Sequence, residues 1–131
     1  MNDKTDYKQT SPSVLGTWEY LLDDQEGFCI YTETHVFWIL VNKGRKPFQG
    51  DQPTEAEKAE AFTESFADAC TYTFTGPSRV AIHRLYSTHP HYPDFTFEYE
   101  IADDIMKYWP LRPDGSRGPM GMARRLEGPA T

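Results

Sequence analysis

The sequence predicts an all-β domain of eight antiparallel strands, with one helix inserted after the third. Three observations predict it. Short runs rich in aromatic and β-branched residues recur along nearly the whole chain, separated by turn-forming Gly, Pro, Asn and Asp. The clearest run alternates Phe95, Phe97, Tyr99 and Ile101 with Thr96, Glu98 and Glu100, as a strand with one dry face requires. Helical periodicity is confined to a single segment, so no βαβ alternation suggests a parallel sheet.

Taken in order, residues 1–13 are polar and end in Ser-Pro-Ser, a mobile tail that leaves 14–127 as the domain and GPAT at 128–131 as a loose end. GTWEYLL (16–22) is the first strand, closed by the turn-prone DDQEG (23–27). GFCIYTE (27–33) and HVFWILV (35–41) follow so closely that a tight hairpin joins them. NKGRKPFQGDQ is a loop, and PTEAEKAEAFTESFADAC (53–70) reads as a helix. Thr54 and Glu57 form a capping box there, and acidic residues sit where the helix dipole favours them. Ala59, Phe62, Phe66 and Ala69 give that helix a modest apolar stripe, enough to lie against one surface. Strands resume with TYTFTG (71–76), SRVAIHRLYS (78–87), DFTFEYEI (94–101), DIMKYWPL (104–111) and GPMGMARRLE (118–127).

At 131 residues the chain suits one domain, able to bury a single core and to enclose a small-molecule cavity. A net charge of −7 argues against a nucleic-acid partner, because phosphate binding needs clustered Lys and Arg. Lys43–Arg45–Lys46 and Arg124–Arg125 are too short for such a footprint. Cys29 and Cys70 are too few for a disulfide framework and read as buried free thiols rather than a bridge. The N-terminus lacks the apolar run of a signal peptide, and no stretch is long enough to span a bilayer. The expectation is a soluble cytoplasmic protein, monomeric or homodimeric, with no membrane or nucleic-acid partner.

Eight antiparallel strands on short turns either close into a barrel or fold as two sheets. Closure removes exposed edges, and an eight-stranded barrel is wide enough for one small ligand. Gly16-Thr17-Trp18 on the first strand resembles the G-x-W opening of lipocalins and their calycin relatives. The ordered series GTWEYL, GFCIYTETHVFWIL, EAEKAEAFTESFADACTYTF and MARRLE is similar to the lipocalin-like domain proteins of bacteria and fungi. That resemblance implies a barrel over residues 14–127, with Trp18 closing its base and Arg124 or Arg125 lying against the indole. The short first loop, the mid-chain helix and the polar N-terminus depart from secreted lipocalins, so retinoid or odorant transport is not implied.

Candidate site residues follow from alternation and side-chain chemistry. Tyr31, Trp38, Tyr72, Tyr99 and Trp109 are placed to line an apolar cavity with a few directed hydrogen bonds. The strand 78–87 offers two faces. If the His83 face points inward, a neutral imidazole is a general acid or base; if the other does, Arg84 and Tyr86 bind an acidic or phenolic oxygen. Glu98 and Glu100 share the face opposite the phenylalanines, where solvent exposure is the simpler reading than paired-carboxylate catalysis. His89 and His91 flank Pro90 without a third ligand, so no metal site is expected; a solvated loop at the barrel mouth is the simpler reading, and a middle reading has one of them, His89, contacting ligand. No nucleotide, zinc-protease or hydrolase motif occurs, and no cofactor is implied. The expected function is binding of a small, mainly apolar or aromatic molecule. The alternative is a cofactor-free cyclase, isomerase or dehydratase acting on a polyketide-like substrate in a natural-product pathway, with His83, Tyr99 or Glu98 as acid or base. A protein-interaction role for the helix's outer face ranks last.

Overall fold

The structure is a computed structural model that describes residues 13–127; all but the last residue of the expected N-terminal tail, and the whole GPAT end, lie outside the described residues. Eight strands run in chain order: β1 (Gly16–Tyr20), β2 (Gln25–Tyr31), β3 (His35–Asn42), β4 (Ser65–Gly76), β5 (Arg79–Ser87), β6 (Phe95–Ala102), β7 (Ile105–Pro110) and β8 (Gly121–Glu127). Each pairs antiparallel with its chain neighbours, and β8 pairs back onto β1. The sheet is therefore a closed barrel, with no edge left to recruit another strand.

Period-two alternation decides what the barrel contains. Val36, Trp38 and Leu40 of β3 are buried while Phe37 between them is 40% exposed. Phe97 and Tyr99 of β6 are buried, and Glu100 beside them is exposed. Cys29 and Cys70 are both buried and free, as their small apolar character favours.

One expectation needs correcting. The helix, α1 (Glu55–Thr63), spans half of the 53–70 segment, and β4 begins at Ser65. The capping box forms as expected: Glu57 N–H donates to Thr54 Oγ1 at 3.1 Å, and Thr54 N–H donates to Glu57 Oε1 at 2.9 Å. No residue of α1 is buried, however, and Phe62 is 52% exposed. A helix with no dry face has little to hold residues 65–70, whereas a strand there pairs with β3 from Val41↔Ser65 to Val36↔Cys70. Tertiary pairing thus overrides local propensity. The supposed stripe is split: Phe66 faces the interior from β4, and Ala69 pairs with the outward Phe37.

The two ends of the barrel differ. At the base lie the β2–β3, β4–β5 and β6–β7 turns. The last is the two-residue Asp103-Asp104, with φ of 53° and 62°, which matches strand twist. Trp18 is fully buried there, and its Nε1 donates to the Val14 carbonyl at 2.7 Å. The Arg125 guanidinium lies 4.2 Å from the indole centroid. It donates from Nε to Asp104 Oδ1 at 2.9 Å, from Nη1 to Leu15 O at 2.6 Å and from Nη2 to Ser13 O at 2.7 Å. Arg124, one residue away, points outward to Glu19. Of the two arginines considered for this position, Arg125 is the one against Trp18. The mouth, at the opposite end, is formed by α1 and the loops after β1, β5 and β7.

Candidate functional site

Above the Trp18 plug the barrel encloses a cavity of about 340 Å³. Tyr31, Trp38, Phe97, Met106 and Tyr108 form much of its wall, while Leu22, Phe66, Phe95 and Met120 surround the mouth. Its size and apolar lining match those of small-molecule sites. Tyr108 lies across Gly121, its β8 partner, where any Cβ would come within 2.2 Å of the ring. Glycine at 121 is therefore what lets this wall close.

Burial keeps the interior neutral. It raises the Tyr20, Tyr31 and Tyr108 phenols well above their usual range, and Cys29, hydrogen-bonded to Tyr20, is pushed up to about 12. These groups are uncharged donors at neutral pH.

Arg84 is the one charged side chain lining the cavity among the described residues. A β-bulge aims it. Cys70 pairs with Arg84 and Ala69 with Tyr86, so Leu85 is the extra residue. Arg84 follows the buried Val80 and Ile82 inward, while Tyr86 is turned out and left 78% exposed. Behind Arg84 lies Asp68, 1% exposed. Asp68 Oδ2 accepts from Trp38 Nε1 at 2.7 Å and sits 3.3 Å from Arg84 Nε. The guanidinium also lies over Phe95, 4.9 Å from its centroid, and over Tyr92, at 5.5 Å, and donates from Nη1 to the Pro93 carbonyl. The cluster is not saturated: Asp68 Oδ1 and Arg84 Nε are buried without a hydrogen-bond partner among the described residues.

Of the expected ligand-contacting residues, Tyr31, Trp38 and Arg84 are brought together on this wall. Tyr72 is buried but sits toward the base, where its hydroxyl donates to Thr32 O at 2.5 Å. Tyr86 and Trp109 do not face the cavity. Trp109 pairs with the outward Glu98 and lies beneath Arg117 at 3.9 Å, because Met106 and Tyr108 hold the inward positions of β7. His89 is packed between Phe62 of α1 and Tyr92, with centroids at 4.2 and 5.3 Å, and so ties the β5–β6 loop to the helix. His91 is exposed, and no group of three potential metal ligands occurs among the described residues.

The three acid–base candidates are dispersed. His83 lies on the outer face with Asp94 Oδ2 2.8 Å from its Nδ1. Glu98 is outside too, held by Arg79 at 2.6 Å and Arg117 at 2.9 Å, which lower its pKa. Tyr99 points inward but close to the base, its hydroxyl 3.5 Å from Pro77 O, and burial pushes it up to about 12. Neither the His83 face nor the glutamates therefore reach the cavity. The sequence hides Asp68 because it falls in the expected helix; as a strand, Phe66-Asp68-Cys70-Tyr72 places an acid on a dry face.

Comparison with protein-family models, curated proteins and solved structures finds no match for this chain.

Proposed function

We propose that the protein binds one small, mainly apolar or aromatic molecule inside its barrel, in the manner of lipocalin-like carriers. The observation that supports this reading above all others is the apolar, aromatic-lined hollow of about 340 Å³ between a sealed base and an open mouth. A packed interior would have filled that space with side chains. Binding is favoured over turnover because His83 and Glu98 are on the outer surface and Tyr99 is near the base. Titration with naphthalene, followed by Trp38 fluorescence and calorimetry, tests the reading. Saturable binding at one site, lost when Ala123→Phe fills the cavity without unfolding the chain, is the expected result. No saturable signal from naphthalene would overturn it.

A further inference from the structure

We infer that the ligand's polar group is an uncharged oxygen acceptor, such as a ketone or quinone carbonyl, and that Asp68 is the residue that excludes carboxylates. This inference rests on the binding reading above and adds the chemical class of the ligand's head. Arg84 is the only charged lining residue among those described, and it alone would suggest an acidic ligand. Asp68 reverses that conclusion. Its carboxylate is 3.3 Å from Arg84 Nε and fully shielded from solvent, so the pair entering the wall is electrically neutral. A ligand carboxylate at the guanidinium would set two anions around one cation, leaving net negative charge in an apolar pocket. The attraction to Arg84 is then opposed by Asp68 and by the lost hydration of the ligand's own charge. A neutral carbonyl meets no such opposition and receives a charge-assisted hydrogen bond. Arg84 has capacity for it: Nε is turned to the buried Asp68 and Nη1 donates to Pro93 O, while Nη2 makes no hydrogen bond among the described residues. Phe95 and Tyr92, beneath the guanidinium, hold it over the mouth. Trp38, which both lines the cavity and donates to Asp68, fixes the carboxylate in position.

The test compares three probes with the same bicyclic body: 2-acetonaphthone, 2-naphthoate and naphthalene. Dissociation constants are measured near neutral pH for the wild-type chain and for Asp68→Asn. In the wild type 2-acetonaphthone should bind at least about tenfold more tightly than 2-naphthoate, and more tightly than naphthalene. In Asp68→Asn, which leaves Arg84 without its counter-ion, the order of ketone and carboxylate should invert. Equal or tighter binding of 2-naphthoate to the wild type overturns the inference while leaving the cavity reading intact, as does an unchanged ratio in Asp68→Asn. Failure of all three probes to bind overturns both. Should Asp68→Asn not fold, the double variant Asp68→Leu/Arg84→Met supplies the second arm: it should bind the ketone no better than naphthalene, and a retained ketone preference overturns the inference.

Discussion

Two arginines hold the two ends of this barrel, and they are built alike up to a point. Arg125 at the base and Arg84 at the mouth each lie over aromatic rings, and each precedes a leucine left extra by a β-bulge. Leu126 and Leu85 are 54% and 43% exposed, each left outside where the strand takes in an extra residue just after an inward arginine. The difference lies in what the guanidinium nitrogens meet. All three of Arg125's donate to fixed oxygens of Ser13, Leu15 and Asp104. Arg84 shares a buried acid that is itself incompletely bonded. A saturated arginine is a stopper; an unsaturated one beside an empty space can still receive something.

The sharpest way to break this comparison is at the base. Trp18→Ala should cost about 3–5 kcal/mol, read as a large fall in the urea midpoint, because a fully buried indole and the seat of Arg125 disappear together. A small effect would mean that the plug does not hold the barrel shut. Next comes the mouth. Arg84→Met should cost about 3 kcal/mol by leaving Asp68 buried and unpaired, whereas Asp68→Leu/Arg84→Met should recover most of that loss. Equal destabilisation by single and double variants would show that the pair acts by packing alone.

Alkali probes the interior between the ends. Burial pushes Tyr72, Tyr99 and Cys29 up to about 12 in the folded chain, above the values near 9 for the thiol and 10 for the phenols outside it. The unfolded chain therefore releases these protons first. Their contribution to stability is fully present below about pH 9 and is lost as pH rises toward 12, by about 1 kcal/mol or more for each group at pH 11. Urea midpoints measured across that range, beside tyrosinate absorbance, check the sign; a midpoint that holds steady would contradict it. The smallest effects belong to the outer face. Glu98→Gln and His83→Ala should each change stability by less than about 1 kcal/mol and leave naphthalene binding unaltered, since exposed pairs contribute little. A loss of binding in either variant would place function on the wrong side of the sheet.

Strand number, order and the inserted helix could be read from the chain because alternation and turn chemistry are local signals. Phe95 to Ile101 carried its inward face in its spelling. The site was less legible. Which face of β5 points inward depends on registry with β4, and the bulge at Leu85 has no local signature, so Arg84 and Tyr86 looked equivalent although one is inside and the other out. Asp68 was hidden for another reason: Glu, Ala and Lys upstream favour a helix, and only pairing with β3 turns the segment into a strand. Trp109 misled because an indole in a strand looks like lining, yet the outer wall offered it Arg117.

The bulge at Leu85 also governs which side chain of β5 the mouth presents after Arg84. Regular pairing through Leu85 would set Tyr86 opposite Asp68 and turn it inward, whereas removing Leu85 altogether would keep Tyr86 opposite Ala69 and outside. What greets a guest at the rim thus turns on whether the strand bulges there, and a one-residue loss at that spot would leave the welcome unchanged.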